Sequence, residues 1–229
     1  MTQLVEYNCA ENVATITLNN GKVNAFSHEM IDQLNAALDS ALVDEAVVVI
    51  KGQPGMFSAG YDLSVMQQSM DAAMKLVEKG STLTRRMLAF EYPIIAACTG
   101  HAIAKGAFVL LASDYRIGIQ GTFKIGLNEV AIGMTMHQAG LELARGRLAP
   151  VFFNRSVILA EMVSVDDAVT AGFLDVAVTP EAFEQTVAAT AQAMTKLNMK
   201  AHRQTKLKAR AGLLDALDKA IDVDRGSSL

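Results

Sequence analysis

Cysteine is scarce in this 229-residue chain: Cys9 and Cys98 stand far apart, outside any CxxC or Cys/His spacing. That argues against a disulfide framework or a zinc site and fits reduced, buried thiols in a cytosolic protein. Positive charge is also in short supply. Twenty Lys and Arg face 24 Asp and Glu, for a formal net charge of −4. No global positive field exists to hold nucleic acid or an anionic membrane, so neither is an expected partner. No apolar run approaches the ~18 residues of a membrane span. The opening MTQLVEYNCAENVATITL lacks the basic start and apolar block of a secretory signal. Glu6 and Glu11 argue against a transit peptide, and the expected location is the cytoplasm. No G-x-G-x-x-G fingerprint, Walker lysine or G-x-S-x-G elbow is present, which counts against dinucleotide, P-loop and serine-nucleophile sites. Ser58 has a glycine two positions after it but none two before.

What is there is apolar and periodic. Hydrophobic residues make up 51% of the chain, enough for one compact domain with an appendage. Residues 2–8 and 12–18 alternate as strands, with Glu11-Asn12 as a hairpin turn between them. Ser27 is placed to cap a helix whose Met30, Ile31, Leu34, Leu38, Ala41 and Leu42 form one stripe. Val47-Val48-Val49-Ile50 reads as a buried strand, followed by the breaker-rich loop Gly52-Gln53-Pro54-Gly55. The order strand, glycine turn, helix returns at Pro93–Cys98, Gly100 and a helix opening near Lys105-Gly106. A weaker copy runs through Tyr115–Ile119. Such repeats indicate an α/β domain with layered sheets, and periodicity alone leaves open a doubly wound sheet or a coiled superhelix of sheets. Leu174–Val178 reads as a last strand. Beyond Pro180 the chain turns helical, with Leu207, Ala211, Leu214, Leu217 and Ile221 on one face of the segment from Asn198 to Asp222. That stripe either folds back on the core or joins a neighbouring subunit. Lys200, Arg203, Lys206, Lys208 and Arg210 read mostly as a solvated helix face.

Three segments could carry chemistry. In Phe57-Ser58-Ala59-Gly60-Tyr61-Asp62-Leu63 the glycine permits a bend and Asp62 can cap the helix that follows. In Gly100-His101-Ala102-Ile103-Ala104-Lys105-Gly106 a helix start offers free N–H donors under the positive end of its dipole. The two turns are either plain connections or, if aimed at one point, a pair of oxyanion donors. In Ile125–Gly133, Glu129 sits among apolar residues. It is either a solvent-facing helix residue or a desolvated carboxyl with its pKa raised towards neutrality, as a proton shuttle needs. His101 and His137 read as core or loop histidines, since neither a paired nucleophile nor metal-ligand spacing accompanies them. Met66, Met70 and Met74 read as a core stripe, with an acyl pocket as the other use of such adaptable side chains.

FSAGYDL, TGHAIAKGAF, SDYRI and IGLNEVAIG occur in the order and spacing of the crotonase (enoyl-CoA hydratase/isomerase) superfamily, which residues 1–195 resemble. The resemblance implies a spiral of repeated ββα units in 1–195 and a C-terminal helical region, 196–229, used in trimer formation, as a homotrimer or a dimer of trimers. It implies an acyl-CoA thioester substrate, with no metal and no cofactor apart from the coenzyme A the substrate carries. It assigns Glu129 as the acid/base, and the backbone N–H groups of Tyr61 and of Lys105 or its neighbour Gly106 as oxyanion donors. Lys105 departs from the glycine-rich pattern of hydratases, and its side chain is expected to point to solvent. Asn24, Ala25, Ala59, Gly60, Tyr61, Asp62, Leu63, Ser64, Lys105 and Phe108 fall where relatives line the coenzyme A and thioester path.

The resemblance also bears on the reaction. Hydratases of this class use two glutamates around a water, and the second would fall where Phe108 stands. A phenyl ring neither binds a proton nor holds that water. One carboxylate suffices to take an α-proton from a 3-enoyl thioester and return it at the γ-carbon. GKVNAFS, PGMFSAG, DYRI and IGLNE look most like Δ3,Δ2-enoyl-CoA isomerases, so isomerisation is preferred. Hydration of a 2-enoyl-CoA and a non-catalytic acyl-CoA-binding homologue are the alternatives.

Overall fold

A computed structural model describes residues 2–226. The chain opens with β1 (Val5–Ala10) and β2 (Val13–Leu18), an antiparallel hairpin closed at Ala10 and Val13. Glu11 and Asn12 both take positive φ, 51° and 59°, the two-residue turn whose twist suits a hairpin. Helix α1 (His28–Val43) follows, its first turn capped by Ser27, whose Oγ accepts from the Met30 N–H at 3.1 Å. The expected stripe is the buried face, with Leu42 at its edge.

From here each unit contributes one strand to each of two sheets and then a helix. The first unit is β3 (Val47–Lys51), β4 (Gly55–Ser58), α2 (Leu63–Met66) and α3 (Met70–Leu88). The second is β5 (Ile94–Cys98), β6 (Gly100–Ile103) and α4 (Lys105–Ala112). The third is β7 (Tyr115–Ile119), β8 (Ile125–Gly126), a 3-10 turn at Val130–Ile132 and α5 (Gln138–Arg147). Helices α6 (Pro150–Val157) and α7 (Val165–Ala171), strand β9 (Val176–Val178), then α8 (Pro180–Met194) and α9 (Met199–Arg225) complete the chain. The large sheet runs β1-β2-β3-β5-β7-β9 and is parallel from β2 onwards; the small parallel sheet runs β4-β6-β8. Equivalent strands of successive units stack side by side, which decides for the coiled superhelix over a doubly wound sheet.

Strand β3 shows why the runs are continuously apolar. Val48 and Ile50 face the main core with Ile16 and Ala96, while Val47 and Val49 face a second cluster with Ile95, Phe183 and Val187. Burial on both faces removes the alternation of a half-exposed strand.

The expected C-terminal region, 196–229, is described as far as residue 226; its last three residues lie outside the described residues. Helix α9 folds back onto α3 and α5 of its own chain. Leu214, Leu217 and Ile221 are buried, but Leu207 and Ala211 are exposed, a correction to the predicted stripe. In the first half of α9 the inward positions are Lys206 and Arg210. Their cations meet Asp114 at 2.7 and 2.9 Å, and Asp114 also accepts from the Ile94 N–H. A solvated basic face is therefore wrong for these two residues: a buried carboxylate requires cationic partners, and the helix turns its cations inward to supply them. No helix of the described residues is long and apolar enough to cross a membrane.

Candidate active site

The first glycine turn leaves β4 at Ser58. A bridge to Phe26 holds the peptides on either side of Tyr61: the Phe26 N–H donates to the Gly60 carbonyl at 2.8 Å, and the Asp62 N–H to the Phe26 carbonyl at 3.0 Å. The Tyr61 N–H between them has no acceptor among the described residues. Gly60 is required here on two counts. Its φ is +109°, and a Cβ would stand 3.0 Å from the Ala104 Cβ. The same Cβ position is 3.6 Å from the Lys105 nitrogen, so the two glycine turns meet at this point. Asp62 caps α2 as expected, its Oδ1 accepting from the Ser64 N–H and Oγ. Ser58 is fully buried and accepts from the Gly60 N–H, a structural use consistent with its rejection as a nucleophile.

The second turn is strained. Ala104, ahead of α4, has φ 50° and ψ −116°, outside the comfortable range of a residue with a Cβ. This conformation lets the Ala104 N–H reach the Gly126 carbonyl while α4 starts at once with Lys105. The first helical bond is from Phe108 to Ala104. The Lys105 N–H has no acceptor among the described residues, and Gly106 is buried against Ser58. The Lys105 side chain corrects the expectation of a solvent-facing amine. It is 1% exposed, donates to the Gly80 carbonyl at 2.5 Å, and burial pushes its pKa down to about 7.

Glu129 follows β8 at the head of the 3-10 turn and is 6% exposed. That excludes the solvent-facing alternative. Its Oε2 is buried without a hydrogen-bond partner, as is Oδ1 of Asn128. Burial drives the Glu129 pKa up to about 7, against a smaller lowering by a backbone hydrogen bond. The carboxyl, Tyr61 and the residues Ala59 and Ala104 that flank the two turns line one cavity of about 130 Å³. Leu63, Met66, Val77, Ile132 and Met134 supply its apolar wall, and Asn128, Thr135 and His137 the rest.

Several assigned residues are not in that wall. Asn24 is fully buried, but its amide donates to the Leu18 and Phe57 carbonyls and accepts from the Asn20 N–H. Its hydrogen-bonding capacity goes into joining the ends of β2 and β4. The Ala25 carbonyl accepts from Asn20, and Asp62 and Ser64 bond to each other. Phe108 lies one layer back, its ring 5.3 Å from that of His137 in an edge-on contact. Of the methionines, Met66 reaches the cavity, whereas Met70 opens the next helix and is exposed, so no single stripe exists.

His137 is the main site residue that pattern reading missed. Burial lowers its pKa to about 4; the Asp224 carboxylate opposes that shift and the Lys105 charge adds to it. Asp224 reaches it from α9, where its carboxylate accepts from the Gln138 and Ala139 N–H groups at the start of α5. His101 is a loop residue, accepting from the Lys124 N–H.

Tyr61, with its unpartnered amide, and the desolvated Glu129 carboxyl line a small apolar cavity, and the unpartnered Lys105 amide lies just outside that lining, one residue beyond Ala104; the arrangement is suited to polarising a carbonyl and moving a proton beside it. A family profile described as enoyl-CoA hydratase/isomerase matches residues 8–227. The chain belongs to this family. The fold agrees throughout. An enoyl-CoA hydratase/isomerase family protein from Pseudomonas syringae is 58% identical, with a TM-score of 0.97 over 99% of this chain and 98% of that one. A Mycobacterium tuberculosis protein, described in one structure as an enoyl-CoA isomerase and in another as a probable enoyl-CoA hydratase, is 36% identical in the first, with a TM-score of 0.94 over 99% and 100%. A probable enoyl-CoA hydratase from Bacillus subtilis is 33% identical over 135 residues, 57% of this chain. The match spans about half, 52%, of that curated relative's length. Both activity names occur among these relatives, in one case for the same protein.

Proposed function

We propose that this enzyme isomerises a 3-enoyl-CoA to the 2-enoyl-CoA. The thioester carbonyl accepts from the Tyr61 and Lys105 N–H groups, Glu129 removes the α-proton, and the same carboxyl returns it at the γ-carbon. The single observation that carries this reading is that Glu129 is the one carboxylate among the cavity-lining residues. Its raised pKa suits it to act both as base and, once protonated, as acid near neutral pH. Water addition calls for a second group to hold and orient the water, and Phe108 at the expected position is an apolar residue behind the wall.

Hydration of a 2-enoyl-CoA is the second reading, and His137 favours it. A neutral imidazole in the cavity wall, with Asn128 Oδ1 unpartnered nearby in sequence to Glu129, provides polar groups that can hold a water. The two readings part in one experiment: purified protein is incubated separately with 3-hexenoyl-CoA and 2-hexenoyl-CoA, and double-bond position and 3-hydroxyacyl-CoA are followed. Conversion of the first substrate without hydration of the second supports isomerase. Hydroxyacyl product from the second supports hydratase, and binding with no reaction in either supports a non-catalytic acyl-CoA protein.

We also propose assembly as a trimer or a dimer of trimers. Val151, Ile158 and Leu159, exposed on and just after α6, are an apolar surface that a partner subunit would cover. Light scattering giving a monomer mass at micromolar concentration would remove it.

A further inference from the structure

The side chains of Tyr61 and Lys105 leave their turns in the same direction and end on one turn of α3. The Tyr61 ring lies on Gly80, where a Cβ would come 2.1 Å from the Tyr61 Oη and 2.7 Å from two ring carbons. The Tyr61 hydroxyl donates to the Val77 carbonyl at 3.4 Å, one turn earlier. The Lys105 Nζ donates to the Gly80 carbonyl itself at 2.5 Å and stands 5.8 Å from the Tyr61 ring centroid. A buried amine is costly unless hydrogen-bonded, and an apolar side chain would fill the same space without that cost. The ammonium therefore needs a reason to be there.

We propose that Gly80, with the Lys105 ammonium hydrogen-bonded to its carbonyl and the Tyr61 ring seated on its bare Cα, is a clamp that fixes the relative position of the two amides in the oxyanion site. Lys105 and Gly80 are positioning residues: neither the ammonium nor the glycine touches the substrate. The same carbonyl also lies 3.3 Å from the Thr84 Oγ1, but that hydroxyl is nearer the Ser81 carbonyl, at 2.9 Å, which leaves the lysine as the close side-chain donor to Gly80. The rigid 19-residue helix α3 gives the two turns, 44 positions apart in sequence, a common reference. This inference rests on the oxyanion reading above, and its test separates the two.

The experiment is difference infrared spectroscopy of hexanoyl-CoA carrying a 13C label at the thioester carbonyl, bound to the purified full chain, together with kcat on 3-hexenoyl-CoA and the Kd for hexanoyl-CoA. In the wild type the labelled carbonyl stretch is expected to move to lower frequency on binding. Lys105→Met is expected to lose most of that displacement and to lower kcat by about 10- to 100-fold, with Kd changed less than about threefold. Gly80→Ala, which displaces the Tyr61 ring, is expected to do the same. Lys105→Gln, which keeps a donor but falls short of the Gly80 carbonyl, takes the place of either variant that fails to fold. A wild-type protein without the frequency displacement overturns the oxyanion reading and the clamp with it. A wild-type displacement that persists in a folded Lys105 variant with unchanged kcat overturns the clamp alone.

Discussion

Replacing Glu129 by Gln should remove activity and raise stability, and the size of the second effect follows from the burial of the carboxyl. In the folded protein its pKa is raised from the usual 4.5 to about 7, chiefly because ionisation in the apolar cavity wall loses hydration. The sign is set by which state holds the proton. Below pH 4.5 both folded and unfolded chains are protonated at this site and no penalty exists. Between 4.5 and 7 the unfolded chain ionises first and gains from doing so; above 7 both are ionised and the penalty is complete. A separation of about 2.5 pH units at about 1.4 kcal/mol per unit makes it about 3 kcal/mol.

Glutamine has nearly the same shape and no charge at any pH, so its advantage over glutamate should grow with pH. Between pH 5 and 8.5 the gain should be about 2 to 3 kcal/mol, and about 2 to 4 °C in Tm per kcal/mol is expected for a chain of this size. Paired chemical and thermal unfolding of wild type and Glu129→Gln at the two pH values measures it. The buried amide of the variant contributes equally at both pH values and cancels. A stability difference that does not change with pH would refute the assignment of a desolvated carboxyl. In the same protein kcat for isomerisation should fall by about 10²- to 10⁴-fold, and in the wild type kcat/KM should rise with pH to a plateau above about 7, because the ionised form removes the proton.

Three further outcomes follow from the same kind of reasoning. Asp114→Ala leaves Lys206 and Arg210 under α9 without their counter-ion and should cost about 3 to 5 kcal/mol in urea unfolding. Asn24→Ala removes the side chain that joins the ends of β2 and β4, and should lower stability by about 1 to 3 kcal/mol while leaving the Kd for acyl-CoA unchanged; a large loss of binding with normal stability would restore its assignment to the substrate path. His137, with its pKa lowered to about 4, should show no titration of its ring resonances by NMR between pH 5.5 and 8 in the ligand-free protein.

Much of the scaffold was legible because each element carries its own signal. The Glu11-Asn12 turn, the Ser27 cap and the β-branched run of β3 are local features, and they form where expected. Strands β6 and β8 were not legible. They are four and two residues long, and they exist because β6 pairs with β4 and β8 with β6, neighbours which no window of sequence contains. The register of α9 failed for a related reason: its apolar residues suggest one face, and a carboxylate some 90 residues earlier, Asp114, selects another. At the site, Glu129 and the two turns could be found from apolar context and glycine placement. The buried course of the Lys105 side chain and the place of His137 could not. A lysine reads as exposed until its acceptor on α3 is known, and a histidine without a local partner reads as filler until a cavity forms beside it.

Among the described residues, ion pairs between buried charges belong to the scaffold and not to the cavity wall. Away from the cavity, two clusters of buried charge are matched, Asp114 by two cations and Arg116 by Asp175 in a two-pronged contact, while Arg147 donates to the Leu111 and Ser113 carbonyls. Around the cavity, Glu129 has a buried oxygen with no partner, Lys105 has one carbonyl and no counter-ion, and Ala104 holds a conformation that costs of order 1 to 3 kcal/mol. This difference matters for the proposed proton transfer, which moves charge without creating any. As Glu129 takes the α-proton it becomes neutral, the form its surroundings favour up to about pH 7. The negative charge appears instead on the thioester oxygen, at the N-terminal end of α4, where unpaired amides and the helix dipole favour it. The unmatched polar groups are thus arranged so that the folded protein is relieved at one end, and engaged at the other, by the same step.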